Sequence, residues 1–115
     1  MDRSVRISEE IKREISSIIQ NDLKDPRLSK LISVTHVKAT KDLHYAKVFV
    51  SIMADDAEKK EALEGLKSAA GFIRREIGHR LKVRHTPEII FELDNSIEYG
   101  VQISKLIDDI KDREK

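Results

Sequence analysis

The sequence predicts an α+β domain of two layers, in which a three-stranded sheet carries its helices on one face. Two observations lead to this prediction. Apolar residues recur at helical spacing near both ends and in the middle of the chain, and they alternate with polar residues in three shorter segments. The chain has 115 residues, of which 39% are hydrophobic, and this fits one domain with one core. We therefore expect a single domain over residues 1–115, with a frayed tail from about residue 111.

The first helix is predicted from about residue 8 to about residue 22. Ser8 is a favourable N-cap, and it is followed by an apolar stripe at helical spacing: Ile11, Ile15, Ile18 and Ile19. The helix should end before Pro26, because the residue that precedes a proline avoids the helical conformation.

Two strands are predicted next, at residues 32–38 and 44–53. In the first, Ile32 and Val34 alternate with polar residues, and the second alternates along its whole length. The short turn at Lys41-Asp42 joins them as an antiparallel hairpin.

An apolar stripe at helical spacing then runs from about residue 57 to about residue 82, after a cap at Asp55 or Asp56. Gly71 and Gly78 are both unfavourable inside a helix, and the small residues before Gly71 predict a kink or a junction. The pattern leaves open whether this segment is one bent helix or two.

A third strand is predicted at residues 88–94, and Asn95-Ser96 caps a last helix. The crossover of about 30 residues that precedes this strand allows it to pair in parallel with a neighbour. The resulting order, α–β–β–α–kink–α–β–α, resembles that of type II KH domains, which hold single-stranded nucleic acid where two helices meet at a tight turn.

Positive charge is concentrated in one segment. The whole chain has a net charge of only +1, yet residues 72–87 carry five basic residues against one glutamate. Arg75, His79 and Lys82 share one helical face there. We predict an RNA-binding face that consists of Arg74, Arg75, His79, Arg80, Lys82 and Arg84. The alternatives are a solvated helix face and a surface for an acidic protein partner.

The kink is the second candidate site, at Ala69, Ala70 and Gly71. The GxxG motif of most KH domains is absent, but small side chains would let an RNA backbone approach the free N–H groups of the second helix. The alternative is close packing of two helices. If the kink binds RNA, substitutions at Gly71 should be more harmful than Gly78→Ala.

Lysines around the hairpin are possible secondary RNA contacts, although lysines at such a position usually aid solubility or protect a strand edge. They are Lys38, Lys41 and Lys47.

Several function classes find no support in the sequence. It contains no cysteine, and its four histidines show no metal-binding spacing. No nucleotide-binding glycine motif and no paired acid and base occur, so we expect no catalytic residue, cofactor, metal or small-molecule substrate. No apolar run approaches the roughly 18–20 residues of a membrane span. We expect a cytoplasmic monomer that does not bind membranes.

Several short motifs, in this order and spacing, resemble the ribosome-binding factor A family over nearly the whole chain. They include Lys24-Asp25-Pro26-Arg27, the segment from Ala69 to Gly78, Leu81-Lys82-Val83-Arg84, and Asp94-Asn95-Ser96. The resemblance implies a type II KH fold in which Ala69-Ala70-Gly71 replaces GxxG. It also implies a non-catalytic assembly factor that binds the immature small (30S) ribosomal subunit and 16S rRNA, assists maturation of the 16S rRNA 5′ end, and helps cells adapt to cold.

Overall fold

The computed structural model describes residues 3–28 and 31–94. The predicted last helix and the frayed tail lie outside these residues. In chain order, the elements are α1 (Arg3–Asn21), a single 3₁₀ turn (Pro26–Leu28), β1 (Leu31–Ala39), β2 (Tyr45–Met53), α2 (Asp56–Ser68), α3 (Ala70–Leu81) and β3 (Glu88–Leu93).

The three strands form one mixed sheet in the order β1-β2-β3. β1 and β2 are antiparallel, and β2 pairs in parallel with β3 through the crossover that α2 and α3 provide. One face of the sheet is apolar and buried, including Val48 and Phe91, and α1, α2 and α3 pack against it. The opposite face, which we call the outer face, carries Lys38, Tyr45 and Lys47. The predicted α+β, KH-like class is confirmed.

α1 begins at Arg3, five residues before the predicted start, so the prediction that Ser8 caps it was wrong. Ser8 is a buried residue inside the helix. Its hydroxyl donates to the Ser4 carbonyl at 2.6 Å and accepts from the backbone N–H of Ala39 at 2.8 Å. Because β1 is an edge strand, this N–H has no neighbouring strand to bond, and Ser8 joins the helix to the sheet there.

We expect Ser8→Ala to lower the free energy of unfolding by about 1–3 kcal/mol, because the N–H of Ala39 is left buried without an acceptor. Ser16→Ala is the matched control, since the Ser16 hydroxyl bonds only to the Lys12 carbonyl of its own helix. Urea denaturation of both variants measures the difference. Equal stabilities would mean that the bond to β1 contributes nothing.

The alternation predicted for β1 holds only for its first half. The pairing with β2 shifts between Val34 and His36, where Thr35 forms a bulge. Val37 and Ala39 therefore turn toward the core after the bulge. The Thr35 hydroxyl bonds to the Phe49 carbonyl at 3.2 Å and to the Asp94 carboxylate at 2.6 Å.

Candidate nucleic-acid interface

The segment whose form the sequence left open consists of two helices that meet at one residue. Ala69 ends α2 and begins α3, with φ −86° and ψ −3°. Its N–H bonds to the carbonyls of Gly65 and Leu66, both at 3.1 Å, and its own carbonyl accepts from Ile73 at 2.9 Å. Asp55, one of the two predicted caps, is the N-cap of α2, and its side chain accepts from the Glu58 N–H at 2.8 Å.

The start of α3 is open to a ligand. No side chain caps it, and no backbone carbonyl of the described residues accepts from the N–H groups of Ala70, Gly71 and Phe72. Such N–H groups, together with the helix dipole, favour an anion. This arrangement fits the predicted approach of an RNA phosphate to the kink.

Gly71 is exposed and has an ordinary backbone conformation, since no glycine in the described residues has a positive φ. A Cβ built on it meets no atom within 4 Å. The fold therefore does not require glycine at this position for steric reasons. Our prediction gave another reason for a glycine at this position, which is the close approach of an RNA backbone.

Gly78 is in the opposite situation. A Cβ on it would lie 2.7 Å from the Thr86 hydroxyl oxygen, because the loop of residues 82–87 packs against α3 there. Gly78→Ala therefore requires the Thr86 side chain to shift, a structural cost that our comparison of Gly78→Ala with the Gly71 substitutions did not include. Sequence reasoning missed the contact because Thr86 reaches Gly78 only through the fold.

Four of the predicted basic side chains are exposed to solvent, and we refer to them together as the basic face. Ile73 and Ile77 are fully buried and anchor α3 to the core, while the exposed groups lie on its other side and beyond its end. The basic face consists of Arg75, His79, Lys82 and Arg84. The prediction placed Lys82 within the helix. In the structure it ends α3 in the left-handed conformation, with φ 52°.

Arg80, also predicted to bind RNA, pairs instead with carboxylates of the protein. Its guanidinium lies 3.2 Å from Glu14 of α1, 2.7 Å from Asp22, which directly follows α1, and 3.8 Å from Glu76. These contacts, above all the hydrogen bond to Glu14, raise the pKa of Arg80 above its ordinary value. Arg80 thus links α3 to α1, and we leave it out of the basic face.

The Arg74 guanidinium bonds to the backbone of the loop of residues 82–87. Its Nε and Nη2 both donate to the Thr86 carbonyl at 3.1 Å. The six predicted basic residues therefore differ in their partners: four are exposed and form the basic face, Arg80 pairs with carboxylates, and Arg74 bonds to the Thr86 carbonyl.

The hairpin lysines are separated from the kink. Lys38 and Lys47 are cross-strand partners on the outer face, and Lys47 lies 3.6 Å from Glu92. Lys41 is in the β1–β2 turn. The helices cover the other face of the sheet, so these lysines do not extend the basic face.

Membrane-spanning helices and metal-binding clusters are both absent from the described residues. None of their helices is long and apolar enough to cross a membrane. No group of three or more histidine, aspartate or glutamate side chains in residues 3–28 and 31–94 could hold a metal ion.

A mixed sheet with two helices that meet at an uncapped junction, beside a basic face, defines a KH-like domain. Comparison with known proteins gives the family. The model of "Ribosome-binding factor A" matches residues 3–107, and the chain belongs to this family.

Individual relatives agree with this assignment. The chain is 69% identical to ribosome-binding factor A of Acetivibrio thermocellus, over 100% of this chain and 94% of the relative. The crystal structure of ribosome-binding factor A from Thermus thermophilus matches with a TM-score of 0.72 and 26% identity, over 81% of this chain and 97% of that one. A homology model of the Thermus thermophilus factor, fitted into the cryo-EM map of its complex with the 30S subunit, matches with a TM-score of 0.64 and 27% identity, over 76% and 91% of the two chains.

Proposed function

We propose that this protein is a non-catalytic assembly factor that binds the immature 30S ribosomal subunit through 16S rRNA. The observation that carries the proposal is the pairing of an open, uncapped helix start with the adjacent basic face, in a chain of the ribosome-binding factor A family. The fitted model of the Thermus thermophilus relative in complex with the 30S subunit supports the same partner.

The finer parts of the proposal follow from the family resemblance. The protein assists late maturation of the subunit, including processing of the 16S rRNA 5′ end, and supports growth in the cold. It acts in the cytoplasm as a monomer and uses no cofactor. Residues 1–115 form one RNA-binding domain.

Binding relies on contacts to the RNA backbone. The N–H groups of Ala70 and Gly71 would receive one phosphate at the kink. Arg75, Lys82 and Arg84 would hold neighbouring phosphates through charge-assisted hydrogen bonds. Such contacts position the protein on folded rRNA, but by themselves they carry no sequence information.

Co-sedimentation tests the proposal. We expect the protein to migrate with small subunits purified from cells grown at low temperature, and to bind immature subunits more tightly than mature ones. Excess competing RNA should release it. A protein that stays at the top of the gradient with both kinds of subunit would contradict the proposal.

The second candidate, a module that binds an acidic protein through the same basic face, gives a different result. Binding would then survive competition by RNA and would be lost when acidic proteins are removed from the sample.

A further inference from the structure

An open groove of about 300 Å³ lies at one end of the sheet, and none of the residues that line it belongs to the kink or to the basic face. It forms where the β1–β2 turn, the start of β3 and the loop of residues 82–87 come together. The polar and aromatic residues that line it are His44, Tyr45, Arg74, His85, Thr86 and Glu88. The volume is at the lower end of the range for small-molecule sites, so a single ring system is the largest group that it can enclose.

Two of these residues stand side by side on the outer face. Tyr45 and Glu88 are partners in the parallel pairing of β2 and β3, so their side chains project from the same face of the sheet. Tyr45 is 46% exposed, so its ring is accessible to a ligand on this face. An exposed aromatic surface beside a carboxylate can stack on a flat ligand whose edge donates hydrogen bonds.

The other side of the groove is formed by Arg74. Both Nε and Nη2 donate to the Thr86 carbonyl, and this holds the guanidinium in one orientation while Nη1 remains available for a ligand. The Glu88 side chain makes no hydrogen bond or ion pair with any residue that the structure describes. The groove therefore presents a fixed donor, an acceptor without a partner and an aromatic surface.

We propose that this groove binds one unpaired guanine base of ribosomal RNA, an inference that rests on the proposed function. The N1–H and N2–H groups of guanine are adjacent donors, and both can bond to the Glu88 carboxylate. Its O6 and N7 atoms are acceptors on the neighbouring edge, where Arg74 donates. The ring stacks on Tyr45, as unpaired bases do on aromatic side chains.

The other bases match this set of groups less well. Adenine has an acceptor beside its single exocyclic amine, and uracil has one N–H between two carbonyl oxygens that a carboxylate repels. Cytosine offers the carboxylate only its exocyclic amine. A bare phosphate is also disfavoured, because Glu88 would repel it. The groove thus supplies sequence preference that the contacts of the basic face lack.

Titration of the ¹⁵N-labelled full chain with each of the four ribonucleoside 5′-monophosphates tests the inference by NMR. Because all four carry the same phosphate, differences among them report on the base. We expect GMP to shift the amide signals of Tyr45, His85, Thr86 and Glu88, and to bind at least about fivefold more tightly than the other three. Equal affinities, or shifts confined to the basic face, would overturn the inference.

Two substitutions assign the preference to the groove. Glu88→Gln should lower the affinity for GMP by about tenfold and bring it close to that for AMP. The reason is that glutamine has one acceptor oxygen, and an NH₂ donor replaces the second oxygen of the carboxylate. Glu92→Gln is the matched control. Glu92 lies on the same face of β3 but outside the groove, beside Lys47, and its loss should leave the preference for GMP unchanged. A Glu88→Gln variant that still prefers GMP would contradict the role given to this carboxylate.

Co-sedimentation of the same variants keeps this inference separate from the proposed function. Glu88→Gln should still bind small subunits through the basic face, with an affinity reduced by no more than about tenfold. Loss of subunit binding by the unmodified protein would refute the proposed function, whereas normal subunit binding with no preference for GMP would refute only the guanine site.

Discussion

Replacing Arg75 and Lys82 together with glutamate should weaken binding to the small subunit by on the order of 100-fold or more, because each lost charge-assisted hydrogen bond contributes about 1.5–3 kcal/mol. Thermal stability should hardly change. Both side chains are exposed, and neither forms an ion pair with a described residue, so their charges contribute little to folding. Binding is measured by co-sedimentation and stability by thermal unfolding.

The salt dependence of binding supplies an independent measurement. Loss of two phosphate contacts should reduce the slope of log K against log salt concentration by roughly 1.5. Arg6→Glu combined with Arg13→Glu is the matched control, since it makes the same change in net charge on the exposed surface of α1. If this control weakens binding equally, the attraction is general and the basic face has no special role. A large fall in melting temperature for the first variant would instead mean that the face is structural.

The sequence predicted the order of the described elements because their apolar periods are local properties. The strands at Leu31–Ala39, Tyr45–Met53 and Glu88–Leu93 agree with the predicted segments to within about a residue at each end. The start of α1 was missed because Ser8 suits two environments equally well. Its hydroxyl can cap a helix, or it can accept a hydrogen bond from a strand in the core, and only the position of β1 distinguishes the two.

The junction lies at Ala69, within the predicted kink, but the reason that the sequence offered for it was incomplete. Alanine is the best helix former, so no local rule places a helix end there. The two glycines on which the prediction of a kink relied have ordinary backbone conformations. The break occurs instead between a helix that packs against β2 and β3 and a helix that packs against β3 and α1, and this arrangement belongs to the tertiary structure.

The candidate site was likewise predictable only in part. The concentration of positive charge in residues 72–87 was visible in the sequence, but the partners of each cation were not. Arg80 pairs with Glu14 and Asp22, which are 66 and 58 residues away along the chain. The groove beside Tyr45 combines a turn, a strand and a loop from distant segments, so no spacing rule could have revealed it.

Substitutions at the two glycines of α3 should separate effects on folding from effects on binding. Gly78→Val should destabilise the protein by a net of about 1–2 kcal/mol, because Cβ alone would lie 2.7 Å from the Thr86 hydroxyl oxygen and the two methyl groups add further crowding. Overpacking of this kind costs about 1–3 kcal/mol, and the gain in helix propensity from replacing glycine offsets at most about 1 kcal/mol. Chemical denaturation measures the loss. An unchanged unfolding free energy would mean that the loop of residues 82–87 moves aside freely.

Gly71→Val should have the opposite effect. A side chain there meets no atom of the described protein within 4 Å, and valine is a better helix former than glycine, so stability should be unchanged or slightly higher. The same side chain would stand beside the open N–H groups at the start of α3, where the proposed phosphate binds. We expect Gly71→Val to lose binding to small subunits and the ability to restore growth in the cold while it remains folded, and Gly71→Ala to show a smaller loss of both. Normal subunit binding by Gly71→Val would mean that Ala69, Ala70 and Gly71 form only a helix junction and that the RNA is held elsewhere.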